Sequence, residues 1–357
     1  MGNSMKQTYG MSNSGNLSEA VQNIREPKAL LLMTSDANFE KHVEELQNLF
    51  PDVPSIGCVG MSYVGEKTCE KGVTVIAMSE GIEAVSNVIE NLSIMPVKYI
   101  SRLIEDVNRI QANSQNTVVF DFACGHDDKL LTTLNSYLSK KNISLVGGTG
   151  DCNKVSVNGK IYTDACAYLI LKNTSGKIKV YKENIYRPSD KRFVATKTDR
   201  SRNLLIEVDG KSAEQTYLNA LGISREAVQN QTFQNPFGHI YGDEVYLISV
   251  KDVVSGGAME CFRTVNNLDV LTIMEIEDFR EVVKQTIAQI QSDFGSRISA
   301  VLSVNCLFRY LLFNEEKYWN DYLRNMNTLG NHAGVVGYGE HYNTQHVNQT
   351  MCCVVFE

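Results

Sequence analysis

Two cysteines stand where chemistry could begin. Cys124 in "DFACG" and Cys306 in "SVNCLFR" each follow an apolar run at the point where a buried strand would end, the place where α/β proteins gather ligands. A reactive thiol needs a neighbouring base or cation to stay ionised. Arg309 could supply a cation beside Cys306, but spacing pairs no histidine with either cysteine. Cysteine also packs as a small buried hydrophobe, and a binding-loop or core role outweighs a nucleophilic one. No catalytic residue is therefore expected, with a cysteine-dependent enzyme acting on a small metabolite as the alternative.

The stretch "GYGEHYNTQHVNQT", residues 337–350, is the other concentration of functional groups. Gly337 and Gly339 permit a close backbone turn that sets Tyr338 and Glu340 at a mouth of strand ends. Arg309 and Glu340 offer opposite charges, the pair that a zwitterion such as an amino acid would use. Asn348, Gln349 and Thr350 can donate and accept without charge, which fixes orientation; each could equally satisfy loop backbone. His332, His341 and His346 invite a metal, yet on one strand His341 and His346 would face opposite sides, and no helical His/Glu spacing completes a ligand set. No metal or cofactor is expected. Gly147-Gly148-Thr149-Gly150 lacks the GxGxxG spacing of a phosphate cradle and reads as a tight turn.

The elements that must position these groups repeat. Three times an apolar strand is followed by a helix, a glycine turn and a second apolar strand. The first copy runs from "ALLLMTS", with Asp36 as N-cap and Phe39, Val43, Leu46 and Phe50 at helical spacing, through "SIGCVG" to "GVTVIAM". The second runs from "TVVFDFACG" through Leu130, Leu131, Leu134 and Leu138 to "LVGGTGD" and "DACAYLIL". The third runs from "SAVLSVNC" through Trp319, Tyr322, Leu323 and Met326 to "VVGYGE" and "MCCVVF". Gly57, Gly147 and Gly337 are the expected counterparts. Helices containing Val97, Ile100, Ile104, Val107 and Ile110, and Ile276, Phe279, Val283, Ile287 and Ile290, precede the second and third copies. Residues 172–275 read mostly as strands, broken by a helix at Ser212–Leu221 with a capping-box pattern and a closing Gly222. The fold class is α/β: two related α/β domains built from these units, with a β-rich middle segment.

A net charge of −7 without a Lys/Arg cluster gives no general attraction for nucleic acid or anionic lipid. The longest apolar runs fall far short of the ~20 residues of a membrane span. The opening "MGNSMKQTYGMSNSGN" has no apolar signal-peptide core and reads as a disordered leader, with Lys6 where a myristoylation signal wants Ser or Thr. Nine cysteines without CxxC pairs fit reduced thiols in a cytoplasm.

"SVNCLFRYLLF", "VVGYGEHYN" and "VNQTMCCVVF" closely resemble the C-terminal FIST domain, and "IGCVGMSYVGE", "VGGTGD" and "NGKIYTDACAYLIL" the N-terminal FIST domain. The resemblance runs from about Lys28 to Glu357. It implies a bacterial or eukaryotic sensory module that binds small ligands such as amino acids and is joined to chemoreceptor or histidine-kinase output. Here it looks most like the sensor region of bacterial chemoreceptors. No long heptads of an output domain occur, so the chain reads as the sensor portion of a longer protein or a stand-alone sensor. A protein-interaction scaffold is the third possibility. The resemblance implies ligand contacts at Cys306, Arg309, Tyr338, Gly339, Glu340, Asn348 and Gln349, and at Cys124, Gly148 and Asp151. It departs from the family where extra residues separate Gly60 from Gly65-Glu66. The expected layout is a leader and short helix at 1–27, an N-terminal domain at 28–180 and a C-terminal domain at 181–357.

Overall fold

Ala29–Thr34, Thr117–Ala123 and Ala300–Cys306 are buried along their whole length, as strands covered on both faces must be. The computed structural model describes residues 4–242 and 244–357 and sets each of these strands within its own six-stranded mixed sheet. Each pairs in parallel with the strand that follows its helix: Ser55–Val59, Ser144–Thr149 and Asn331–Gly337 respectively. On its other side each pairs antiparallel with the copy's last strand: Val73–Met78, Ala165–Asn173 and Met351–Phe356. Beyond that lies an edge strand: Gln7–Ser12, Ile82–Glu90 and Ile178–Glu183.

The remaining edge of each sheet is filled by a different copy. Ser62–Val64, from the first copy, pairs with Asn331–Gly337 of the third. Val155–Val157, from the second, pairs with Ser55–Val59 of the first. Glu340–Tyr342, from the third, pairs with Ser144–Thr149 of the second. The three copies thus close a cycle, each lending a hairpin to a neighbour's sheet. The extra residues after Gly60 belong to the first of these hairpins, Ser62–Val64 with Lys67–Cys69.

Helices cover the sheets as the periodicity predicts. Phe39, Val43 and Leu46 are buried on Phe39–Leu49, and Leu130, Leu131, Leu134 and Leu138 on Asp127–Lys141. The third copy carries two helices, Leu307–Glu315 and Trp319–Asn327, separated near Lys317 with its left-handed φ of 54°. Three expectations change. Ile276 closes the strand Val270–Ile276 and does not belong to the helix Phe279–Phe294. Asp36 is not an N-cap: it lies inside a short 3-10 turn, and its carboxylate meets Lys154. Val97 lies off the packed face, in the turn Pro96–Tyr99 before the helix Ile100–Arg109.

The chain forms two compact units. One comprises the chain up to Glu183 together with Val283–His346 and Thr350–Glu357; the other is Asn184–Val282 with Val347–Gln349. The division is therefore an insertion, not the single boundary expected near residue 180. Ile178–Glu183 pairs along its whole length with Met351–Phe356, so the third copy has begun before the chain departs into the second unit. That unit is an eight-stranded sheet packed on Ala195, Leu205, Tyr217, Phe237, Met259 and Leu271. Its helix Ala213–Leu221 starts at Ser212, whose hydroxyl accepts from Gln215 N–H, and ends at Gly222 with φ 67°.

The leader also differs from expectation. Its first three residues lie outside the described residues, but Gln7–Ser12 is a full edge strand in register with Val73–Met78. Its polar composition conceals it: Gln7 is buried because its side-chain amide donates to Asn331 O, while the Asn331 amide donates back to Gln7 O.

The pairing registers correct one glycine. Gly57 faces Leu32 and Ser156, Gly147 faces Asp121 and His341, and Gly334 faces Ser303 and Tyr63. Gly334 is therefore the counterpart of Gly57 and Gly147, and Gly337 corresponds to Gly60 and Gly150. A methyl group at Gly334 would lie 2.2 Å from Ser303 O and 2.4 Å from the Tyr63 hydroxyl, whereas one at Gly60 would meet nothing closer than 3.6 Å. Gly334→Ala should cost about 1–3 kcal/mol in urea unfolding, and Gly60→Ala should change stability little. Equal effects would refute this packing.

Candidate functional site

Counting three residues beyond Leu32, Asp121 and Ser303 places Ser35, Cys124 and Cys306 at equivalent strand ends. The glycine turns meet there through backbone hydrogen bonds. Asp151 N–H donates to Val59 O at 2.9 Å, Tyr338 N–H to Thr149 O at 2.9 Å, Thr149 N–H to Gly339 O at 3.0 Å and Val336 N–H to Met61 O at 2.9 Å. Gly148 is required by this approach, since a Cβ there would lie 2.6 Å from Gly339 O. Tyr338 is half-buried, and burial together with its hydrogen bond to Asp151 pushes its hydroxyl pKa up. Cys124 is half-buried, and burial pushes its thiol up to about 11, away from a thiolate at neutral pH.

Glu340 lies behind this mouth, fully buried. Its Oε2 accepts from Thr350 N–H at 3.1 Å and from the Thr350 hydroxyl at 2.8 Å, and the Cys306 thiol is a further donor. Cys306 is itself buried, begins the helix Leu307–Glu315, and donates its N–H to Thr350 O at 3.1 Å. Glu340 forms no ion pair among the described residues, and its Oε1 accepts no N–H or O–H hydrogen bond there. Burial outweighs the hydrogen bonds and lifts the carboxyl to about 8.

Arg309 does not face Glu340 as a complementary charge. It is wholly buried, ion-paired with Glu183 and bonded through Nε to Asn305 Oδ1 at 3.1 Å. Its guanidinium lies over Phe313 and Tyr322. Asn305 donates to the hydroxyls of Tyr63 and Tyr322, Tyr63 bonds Ser303, and Ser303 bonds His332, which burial lowers to about 3 and so keeps neutral. Only one link, Asn305 to Arg309, is local in sequence, joining the end of the strand Ala300–Cys306 to the first turn of the helix that follows it. Glu183 and Tyr63 are distant in sequence.

His341 and His346 share a face. A turn at Asn343, with φ 52°, folds Gln345–Val347 back beside Glu340–Tyr342, so the two rings lie 6.2 Å apart. Over Gly147, His341 Nδ1 meets Asp121 at 2.8 Å and Nε2 meets Asp127 at 2.7 Å. Burial works against charge there, yet the two carboxylates raise His341 to about 10. Burial also opposes ionisation of Asp127, but His346 and His341 hold it well below the usual carboxylate range. No grouping of these side chains suited to a metal ion occurs among the described residues.

The structure thus gathers Cys306, Gly148, Tyr338, Gly339, Glu340 and Asp151 around one set of strand ends, with Cys124 at the equivalent end in the second copy. Arg309 is committed to Glu183. Asn348 and Gln349 count with the second unit, where Gln349 has φ 55° and donates to Ser249 Oγ at 2.9 Å.

Removing one partner of a buried ion pair strands the other charge, so Arg309→Met or Glu183→Leu alone should each cost about 3–5 kcal/mol, and the double variant clearly less than their sum. Additive losses would show that the pair is not coupled. Because the folded state keeps the Glu340 proton between about pH 4.5 and 8 and the unfolded chain does not, stability should fall as pH rises through that window, by at most about 1.4 kcal/mol per unit. The stability of Glu340→Gln relative to the unsubstituted protein should shift in the variant's favour over the same range. A pH-independent difference would contradict the buried proton.

A search of curated proteins returned no match. Against known families, residues 28–211 match the FIST N domain and residues 213–343 the FIST C domain. The FIST C match begins inside the inserted unit and ends in the hairpin that carries Glu340 and His341. The chain belongs to the FIST family of sensory domains.

Proposed function

We propose that this protein is a non-catalytic cytoplasmic sensor that binds an amino acid or a related amine-bearing metabolite at the strand-end centre and passes the signal to a chemoreceptor-type output. Family membership supports the sensory role. The observation that carries the ligand reading is Glu340, a buried carboxyl with one oxygen lacking an N–H or O–H partner among the described residues. Leaving such an acceptor unsatisfied costs about 1–3 kcal/mol, and a ligand ammonium group would supply both hydrogen bonds and counter-charge. Gly148 and Gly339 bring backbone close, while Tyr338, Asp151 and Cys124 form the more accessible rim.

Such a ligand must displace the Glu340 proton. Its affinity should therefore strengthen as pH rises from 6 to 8, approaching tenfold per unit well below the carboxyl pKa. Calorimetric titration with a panel of amino acids and amines tests this. Glu340→Gln should weaken binding about tenfold or more and flatten the pH dependence. Saturable binding that ignores both pH and Glu340→Gln would place the ligand elsewhere, and turnover lost on Cys306→Ala or Cys124→Ala would favour an enzyme.

A further inference from the structure

The inserted unit carries a second feature unrelated to Glu340. In the strand Tyr186–Asp199 the pairing with Val270–Ile276 slips between Pro188 and Arg192, and this bulge re-aims two consecutive cations. Buried Thr272 holds the bulge: its hydroxyl donates to Lys191 O at 2.8 Å and lies 2.9 Å from Arg192 Nη1. The Arg192 guanidinium also bonds Ser189 O, and Lys191 Nζ bonds Ala220 O at the end of the helix Ala213–Leu221. These contacts fix both cations on neutral oxygens.

Lys191, Arg192 and Lys211 line one open groove of about 440 Å³, a volume within the range of small-molecule sites. None of the three is paired with a carboxylate among the described residues. The one carboxylate on the lining, Asp209, accepts the Val194 N–H at 2.8 Å. The helix presents Thr216 and Asn219 to the groove, one turn apart. The Asn219 amide oxygen is taken by Gln215, leaving its N–H₂ as a neutral donor. Phe193 supplies an apolar wall. Three cations against one carboxylate in a chain of net charge −7 form a local field that concentrates anions.

We propose that this groove binds a phosphate monoester, with Lys191, Arg192 and Lys211 around its oxygens, Asn219 as an orienting donor and Phe193 against its carbon skeleton. The phosphate could be carried by a free metabolite or by a lipid headgroup, so the test has an arm for each. The full chain is titrated calorimetrically with glycerol 3-phosphate and with inorganic phosphate at low ionic strength, and co-sedimented with phosphatidate vesicles against neutral vesicles. Saturable binding in at least one arm is expected, weakened tenfold or more by the exposed pair Lys191→Ala with Lys211→Ala, and retained in Lys197→Ala, which lies outside the groove. Binding confined to the vesicles but lost in the double variant assigns the phosphate to lipid. Glu340→Gln should leave phosphate binding unchanged, which separates this site from the amine site. No saturable binding in any arm, or equal losses in the double variant and Lys197→Ala, overturns the proposal.

Discussion

The exchange of hairpins is the constraint on which the first unit depends. No copy completes its own sheet: the parallel edge formed by Ser55–Val59, Ser144–Thr149 or Asn331–Gly337 is covered by a strand from a different copy. An uncovered edge would present unpaired backbone N–H and C=O groups, so each copy needs the other two. The insertion Asn184–Val282 is compatible with this because it leaves the first unit after the edge strand Ile178–Glu183 and returns within the helix Phe279–Phe294. All ladder partners of the third copy remain in place.

The same registers explain why buried polar chemistry collects where it does. In each sheet a hairpin side chain crosses a glycine toward the central strand. Where the hairpin residue is long, it reaches a polar partner: His341 passes Gly147 to Asp121, and Tyr63 passes Gly334 to Ser303. In the first copy's sheet the hairpin residue is Ser156 and the central residue is Leu32, and among the described residues no equivalent bond links them. One backbone geometry therefore supports a charged histidine in the second copy, a neutral tyrosine network in the third and plain packing in the first.

Much of this architecture was legible because periodicity reports burial. Leu130, Leu131, Leu134 and Leu138 define a helix face, and Ser212 with Gly222 bounds another helix. The failures share a cause: they turn on which strands pair, which local pattern does not encode. Gln7–Ser12 is a strand because of its partner and an amide exchange with Asn331, despite its loop-like composition. The insertion was hidden because Ile178–Glu183 and Met351–Phe356 are far apart in sequence. Arg309 and Glu340 were recognisable as chemically significant residues, but Glu183, which decides what Arg309 can do, carries no local signal. His341 and His346 were assigned opposite faces by a rule for one strand, and the turn at Asn343 makes them cross-strand neighbours.

The buried charges divide by how they are compensated. Arg309 has a carboxylate in Glu183 and an amide oxygen in Asn305; His341 has a carboxylate on each ring nitrogen. Both centres carry their counter-charge within the fold, so a ligand charge would compete there with an ion pair already formed. Glu340 is held differently, by a threonine and a thiol, with the adjacent His341 charge acting on it more weakly and no ion pair among the described residues. A carboxylate so placed can remain in the fold by keeping its proton, or by receiving a cation from outside. The first state needs nothing further, and the second needs a partner that the described residues do not provide. That asymmetry, more than the presence of charge itself, sets Glu340 apart from Arg309 and His341, whose charges are compensated within the fold, and is the reason the proposed ligand reading rests on it.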